Sequence, residues 1–178
     1  MRTFIAFDLA SEAKNQIEKI QLDFKKLAEG KIKYTASSQL HLTVFFIGDI
    51  EQNQADKIKN LITKINFPQF YLEMSTLGYF PNIRKPNVIV LKSEANPELN
   101  NFVKSMDNSL AELGFKRDKK WVPHVTIGRV KEPFKMTEFK IIPFKIKIES
   151  LSFYKSTLTS SGPVYENIAV NTLQKGLD

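Results

Sequence analysis

The segment His41-Leu42-Thr43-Val44 lies inside the apolar run from Leu40 to Ile47, and its pattern returns as His124-Val125-Thr126-Ile127. These segments contain the only two histidines of the 178 residues, and each has the form His-apolar-Thr-apolar. Both alternate polar and apolar side chains, as a half-buried β-strand does. Since residues i and i+2 of a strand share a face, each segment is predicted to present an imidazole beside a hydroxyl, with its apolar side chains turned into a core.

The rest of the chain gives the two segments similar surroundings. They lie 83 positions apart (124 minus 41), and each follows an amphipathic helical pattern and a basic connection. The predicted order is strand-helix-strand-helix-strand-strand-helix-strand, followed by a strand-rich tail. We therefore predict an α+β fold in which residues 1–178 form one domain of two interleaved lobes. The lobes are expected to be a pseudo-twofold pair of antiparallel sheets, with helices outside and a central cleft that carries both His-x-Thr-x motifs.

Helix boundaries are predicted from capping residues. Ser11 is expected to be the N-cap of the first helix, with Gly30 as its stop. Asn96 is expected to be the N-cap of the third helix, with Pro97 at the first helical position and Gly114 at its end.

Composition excludes several classes of protein. With 42% hydrophobic and 25% charged residues the chain is typical of a globular protein, and no apolar run approaches the roughly 20 residues of a membrane span. The absence of cysteine excludes disulfides and thiolate chemistry. Since the N-terminal sequence does not resemble a signal peptide, a cytoplasmic location is expected. The net charge of +7 is compatible with a nucleic-acid partner or with a solvated lysine-rich surface.

Paired histidines suit acid–base chemistry near neutral pH, because the histidine pKa lies close to it. One imidazole can take a proton from water while the other donates to a leaving oxygen, and the threonine hydroxyls can bind oxygens where charge develops. The opening of a cyclic phosphate fits this set. A catalytic metal would require a third ligand, which neither motif supplies at ligand spacing, and no nucleophile elbow is present. The remaining alternative is that both histidines are only structural.

Several segments together resemble the RNA 2′,3′-cyclic phosphodiesterase branch of the two-histidine (2H) phosphoesterase superfamily, also described as 2′-5′ RNA ligases. The resemblance covers nearly the whole chain. The segments that carry it are Arg2-Thr-Phe-Ile-Ala-Phe-Asp-Leu9, Leu40-His-Leu-Thr-Val-Phe-Phe-Ile-Gly-Asp49, Leu77-Gly-Tyr-Phe-Pro81, Pro123-His-Val-Thr-Ile-Gly-Arg-Val130 and the Ser-Gly-Pro-Val-Tyr sequence that ends at Tyr165.

The resemblance implies hydrolysis of an RNA 2′,3′-cyclic phosphate end to a 2′-phosphate, without metal or cofactor, together with weak reversible 2′-5′ joining of RNA ends. It implies that His41 protonates the departing 3′ oxygen, that His124 activates water, and that Thr43 and Thr126 hold the phosphate. The near-symmetry of the motifs leaves the acid and base roles exchangeable. The expected partners are RNA ends or nucleotides with a 2′,3′-cyclic phosphate. A monomer is expected, with no membrane or protein partner.

Arg129 is a further phosphate-binding candidate, because the family often has arginine at this position. Strict alternation from His124 and Thr126 places Gly128 on the cleft face instead. A bulge at Gly128 is therefore required to turn Arg129 towards the substrate.

Four other residues bear on the substrate. Phe45 stands where the family commonly has a basic residue, and period two places it on the face of His41, where it can stack on a base; core packing is the alternative. Lys155 stands where the family often has an acidic residue. Trp121 and Tyr34 are further stacking candidates, with structural roles as their alternatives.

Two other functions remain open at this point. One is a non-catalytic RNA- or nucleotide-binding module on the same fold. The other is the same chemistry on 2′-5′ oligonucleotides or on a cyclic ADP-ribose phosphate.

Overall fold

A computed structural model describes residues 1–133, 135–136 and 138–175. Within these residues the helices are α1 (Ser11–Leu27), α2 (Gln52–Thr63) and α3 (Pro97–Glu112), and a short 3₁₀ turn covers Ser37–Gln39. The strands of the first half of the chain are β1 (Arg2–Asp8), β2 (Ala28–Glu29), β3 (Ile32–Tyr34), β4 (His41–Asp49), β5 (Phe70–Phe80) and β6 (Val88–Ser93). The later strands are β7 (His124–Val130), β8 (Lys135–Met136), β9 (Phe144–Ile148), β10 (Ser150–Thr159) and β11 (Gly162–Thr172).

The two motif strands, β4 and β7, lie at the centre of the main sheet. Its strand order is β11-β10-β1-β4-β7-β6-β5-β9, and β3 pairs with β7 off this path. Every strand pairing in this sheet is antiparallel. The pairing between β4 and β7 is limited to Leu42 with Val125. The sheet therefore consists of two halves, one ending in β4 and the other in β7, joined at their motifs.

The apolar residues of both motifs form the centre of the core. Leu42, Val44, Val125 and Ile127 are all fully buried, as the alternating pattern predicts. Burial of each such side chain contributes roughly 1.5–3 kcal/mol, so the motif strands are firmly held.

The helices pack with their apolar faces on the sheet. Helix α1 buries Ile17 and Phe24. At the end of α2, the side-chain amide of Asn171 donates to the carbonyls of Ile62 and Ile65 at 2.9 and 3.0 Å. The α+β class and the antiparallel two-part sheet predicted from the sequence are confirmed. No helix in the described part of the chain is long and apolar enough to cross a membrane.

Capping is correctly predicted for α3 and wrongly for α1. The Asn96 side chain accepts a hydrogen bond from the Leu99 N–H at 2.7 Å, Pro97 is the first helical residue, and Gly114 has a φ of +93°. Ser11, in contrast, is the first residue of α1 rather than its cap. Ala10 is the N-cap, without a side-chain hydrogen bond, because β1 runs almost directly into the helix.

Replacing Asn96 by alanine is expected to lower the free energy of unfolding by about 1 kcal/mol, because the Leu99 N–H loses its acceptor. Urea denaturation measures this loss. The matched control is Asn101→Ala, an exposed position of the same helix, which is expected to change stability by less than about 0.5 kcal/mol. Equal losses in the two variants would contradict the assigned cap.

Candidate active site

The junction between β4 and β7 brings the two motifs together. Because the strands are antiparallel and meet at Leu42 and Val125, His41 lies beside Thr126 and Thr43 lies beside His124. The histidines and threonines of both motifs are half-buried, while the apolar residues of the motifs are buried. One face of the junction therefore carries two imidazoles and two hydroxyls.

The two imidazoles are held in the same way. Nδ1 of His41 lies 2.7 Å from the Gln39 carbonyl oxygen, and Nδ1 of His124 lies 2.8 Å from the Val122 carbonyl oxygen. A carbonyl only accepts hydrogen bonds, so Nδ1 carries the hydrogen in both rings. In the neutral imidazole, Nε2 is then the basic nitrogen of each ring.

Each motif contains a β-bulge at its last residue. In β1, Ala6 pairs with Thr43, and the preceding residue, Ile5, pairs with Phe45. Val44 is therefore an extra residue in β4. Along β6, Val90 pairs with Thr126 and Ile89 pairs with Gly128, so that Ile127 is the extra residue in β7. The bulges occupy equivalent positions in the two strands. Each reverses the alternation of faces beyond the motif.

The bulge in β4 makes the predicted orientation of Phe45 wrong. Phe45 is 3% exposed and belongs to the core, whereas Phe46 is 54% exposed and lines the cleft with His41 and Thr43. The alternation changes at Val44, where the sequence has no Gly or Pro to signal it. Phe46 is therefore a site residue that the sequence pattern did not predict.

The bulge in β7 has the same effect on Arg129. Gly128 is buried, and Arg129 lines the cleft. The residue that turns Arg129 inward is Ile127, one position before the predicted bulge. A Cβ at Gly128 would lie 3.0 Å from Cγ2 of Ile32, so the glycine allows β3 to pack closely against this strand.

A cavity of about 460 Å³ opens on the His41 side of the junction. Aromatic rings and cations line it, and among the described lining residues there is no carboxylate. His124 is not among them. The lining cations are Arg2, Lys33, Arg129 and Lys131, and the lining aromatic residues are Phe4, Tyr34, Phe46 and Tyr165. The site is therefore suited to an anion that carries a planar ring.

Donors from the neighbouring loop and helix hold the two bulges. Nη2 of Arg117 donates to the Val44 carbonyl at 2.7 Å, and Trp121 Nε1 donates to the Thr43 carbonyl at 2.9 Å. On the other half, Gln21 Nε2 donates to the Ile127 carbonyl at 2.8 Å. Trp121 thus has the structural role rather than the stacking role. Arg117 also pairs with Asp107 at 2.7 Å.

The His41 ring is enclosed by aromatic and acidic neighbours. The Phe4 ring lies 4.8 Å from it and the Tyr165 ring 5.4 Å, measured between centroids. Asp8 is its partner in the β1–β4 register. Burial lowers the pKa of His41 below the ordinary value of 6.5, while the hydrogen bond with Gln39 and the charge of Asp8 act in the opposite direction.

The His124 ring has different neighbours. The Phe80 ring lies 5.3 Å from it, edge to face, and Lys92 is its partner in the β6–β7 register. Burial lowers the pKa of His124, the hydrogen bond with Val122 raises it, and the charge of Lys92 lowers it further. The two histidines are thus alike in tautomer and different in the charge beside them.

Tyr34 and Lys155 differ in their relation to the cavity. Tyr34 lines the cavity. Lys155 pairs with Glu166 at 3.1 Å and is not among the residues that line the cavity. Asp8, Lys92 and Tyr165 were missed as site residues, because their positions beside the histidines depend on strand pairings that no local pattern encodes.

A larger cavity of about 670 Å³ lies away from the motifs, at the start of α2, where Asp49, Glu51 and Lys57 line it. It contains neither histidine. Within residues 1–133, 135–136 and 138–175, no three His, Asp or Glu side chains are grouped closely enough to hold a metal ion.

The fold and the paired motifs define a class of protein. A family model described as the 2′-5′ RNA ligase superfamily matches residues 9–158, and the chain belongs to this superfamily. The resemblance inferred from the motifs is therefore confirmed.

Individual relatives cover nearly the full chain. An RNA 2′,3′-cyclic phosphodiesterase of Methanocaldococcus jannaschii is 34% identical, with 94% of this chain and 98% of that protein aligned. One from Thermotoga maritima is 32% identical, with 99% and 98% aligned. The solved structure of TT0787 from Thermus thermophilus superposes with a TM-score of 0.83 at 25% identity, and covers 99% of this chain and 100% of its own.

Because of the bulge in β4, alanine substitutions of two adjacent phenylalanines are expected to differ in their effect on stability. Phe45→Ala is expected to lower the free energy of unfolding by about 3–5 kcal/mol, because it opens a cavity in the core. Phe46→Ala removes a partly exposed ring and is expected to change stability by about 0.5 kcal/mol or less. Urea denaturation of both variants is the measurement. A larger loss for Phe46→Ala would show that the alternation continues through Val44.

Proposed function

We propose that this protein hydrolyses the 2′,3′-cyclic phosphate ends of RNA to 2′-phosphate ends, with His41 as general acid and His124 as general base. Water attacks phosphorus while Nε2 of His124 takes its proton. The bond from phosphorus to the 3′ oxygen breaks, and His41 donates a proton to that oxygen. The products are a 2′-phosphate and a 3′-hydroxyl, so that atoms and charge balance. Attack by a 5′-hydroxyl of a second RNA in place of water would give 2′-5′ joining.

The observation that carries the proposal is the pair of imidazoles held in one tautomer across the β4–β7 junction. Both rings donate from Nδ1 to a backbone carbonyl, so both leave Nε2 for proton transfer. A binding module has no need of two histidines oriented in this way. Each positioned proton transfer typically contributes about 10²–10⁴-fold to the rate, and no metal is required for either.

The phosphate is proposed to lie between the motifs. Thr43 and Thr126 lie beside the opposite imidazoles, so each hydroxyl can donate to a non-bridging oxygen as charge develops there. Arg129, which lines the same cleft, is proposed to bind a phosphate oxygen through its guanidinium.

The nucleoside is proposed to occupy the cavity on the His41 side. Phe46 presents a half-exposed ring there, and the Arg2 guanidinium carbon lies 5.0 Å from its centroid. A base can stack on this ring, while Lys33 and Lys131 face the phosphates of the preceding nucleotides. This placement puts the 3′ oxygen next to His41 and leaves the His124 side for water. The curated relatives named as RNA 2′,3′-cyclic phosphodiesterases support the choice of RNA.

A short RNA ending in a 2′,3′-cyclic phosphate is expected to be opened to the 2′-phosphate by the wild type in EDTA. His41→Ala and His124→Ala are each expected to lower kcat by at least about 10²-fold, because each removes one proton transfer. Chromatographic separation of 2′- and 3′-phosphate products is the measurement.

The alternatives give different results in the same assay. Retention of the RNA without turnover would favour a binding module. Activity that is lost in EDTA and restored by zinc would contradict the two-histidine mechanism. Turnover restricted to 2′-5′ oligonucleotides or to a cyclic ADP-ribose phosphate would change the substrate and keep the chemistry.

Arg129→Ala is expected to lower kcat/KM about tenfold or more, because a hydrogen bond from a charged group to phosphate is lost. The matched control is Arg84→Ala, which removes the same charge from an exposed turn outside the cleft and is expected to change kcat/KM little. Steady-state kinetics on the cyclic phosphate RNA compares the two. Unchanged kcat and KM in Arg129→Ala would remove this residue from the site.

A further inference from the structure

The pseudo-twofold relation of the two halves is broken beside each histidine. In the β1–β4 register the residue opposite His41 is Asp8. In the β6–β7 register the residue opposite His124 is Lys92. The two positions are equivalent, since each lies on the strand that flanks a motif strand on the side away from the junction. One imidazole therefore has an acid as its neighbour and the other has a base.

Asp8 is fixed by three hydroxyl groups of β10. Oδ2 accepts hydrogen bonds from Ser150 at 2.5 Å and from Ser152 at 2.6 Å, and Oδ1 accepts one from the Tyr154 hydroxyl. The three donors come from alternate residues of one strand, which share a face. Among the residues that the structure describes, no cationic side chain forms an ion pair with this carboxylate, so hydroxyl groups rather than a cation hold it in place.

Lys92 is held beside His124 by a glycine and an aromatic ring. A Cβ at Gly78 would clash with Cε of Lys92, so the lysine stem crosses β5 where that strand has no side chain. Nζ of Lys92 then lies 5.0 Å from the centroid of the Phe80 ring, and this ring packs edge to face on His124. The cation is therefore positioned rather than freely solvated.

We propose that Asp8 and Lys92 are positioning residues that decide which histidine acts as the acid and which acts as the base. The carboxylate of Asp8 keeps His41 as the protonated partner, and the ammonium group of Lys92 keeps His124 as the neutral partner. His41 is thereby the acid and His124 the base, although the motifs themselves are equivalent. This inference rests on the proposed function for its kinetic consequences only.

Apart from Asp8 and Lys92, the charged and titratable groups around the two rings come from three elements. Lys14 on α1 and His124 on β7 act on His41. Tyr165 on β11 packs against its ring, and Arg129 on β7 lines the same cavity. Lys14 and His124 oppose protonation of His41. Asp8 is the group whose charge favours it. Beside His124, the charge that acts is that of Lys92.

NMR titration of the free protein tests the proposal without substrate. Because the chain has two histidines, the imidazole resonances give two curves, assigned with His41→Ala and His124→Ala. We expect His41 to remain protonated to higher pH than His124. Asp8→Asn is expected to move the His41 midpoint to lower pH, because the anion that stabilises the imidazolium is lost. Lys92→Met is expected to move the His124 midpoint to higher pH, because the repulsion is lost.

Two variants serve as controls for the loss of a charge. Glu166→Gln removes a carboxylate that pairs with Lys155, and Lys145→Met removes an exposed lysine of β9. Neither is expected to move a histidine midpoint appreciably. If Asp8→Asn fails to fold, the order of the two wild-type midpoints and the Lys92→Met titration still decide the proposal.

The kinetic arm uses pH profiles of kcat/KM on the cyclic phosphate RNA. Asp8→Asn is expected to move the alkaline limb to lower pH and Lys92→Met to move the acidic limb to higher pH. Each substitution narrows the bell-shaped pH profile from a different side. Asp8→Asn is expected to lower kcat/KM about tenfold above neutral pH. Loss of a merely structural contact would lower the whole profile without moving one limb.

The outcomes separate the inference from the proposed function. A wild-type His124 that protonates at higher pH than His41, or midpoints that do not respond to Asp8→Asn and Lys92→Met, would overturn the inference. If the midpoints respond as expected and no RNA is cleaved, the charge asymmetry stands and the proposed substrate is wrong.

Discussion

The structure depends on the single residue pair that joins β4 to β7. Leu42 and Val125 bridge the two halves of the sheet and are fully buried, so the hydrophobic effect fixes the position at which the strands meet. The residues on either side of this pair are the two histidines and the two threonines. A shift of one residue in this register would turn the polar side chains into the core. Core packing and the geometry of the active site are thus one constraint.

The bulges explain how similar strands form a cleft rather than a continuous ladder. Val44, the last residue of the first motif, interrupts the pairing of β4 with β1, and Ile127 does the same to the pairing of β7 with β6. Each bulge increases the local bend of its strand. The strands separate, and their free carbonyls accept hydrogen bonds from Arg117, Trp121 and Gln21. These donors come from outside the main sheet. The carbonyls that β4 and β7 do not pair with each other are therefore satisfied by specific side-chain donors.

The features that depend on the local alternation of side chains could be predicted from the sequence, whereas those that depend on the pairing of strands could not. The alternation in both motifs correctly gave the burial of Leu42, Val44, Val125 and Ile127, and Asn96 was recognisable as a cap because its partner is three residues away. Phe45 was assigned to the wrong face because a bulge is a property of two paired strands. Asp8 and Lys92 were missed for the same reason: their relation to the histidines exists only across strands.

The hydrogen bonds of the imidazoles make the two halves of the site independent of each other. Each ring is bound to a carbonyl two residues before it on its own chain segment, so neither ring relies on the opposite half for its orientation. A substitution that disturbs one half would therefore leave the imidazole of the other half in its tautomer. Each motif is a self-contained unit, and the pair of Leu42 with Val125 only brings the two units together.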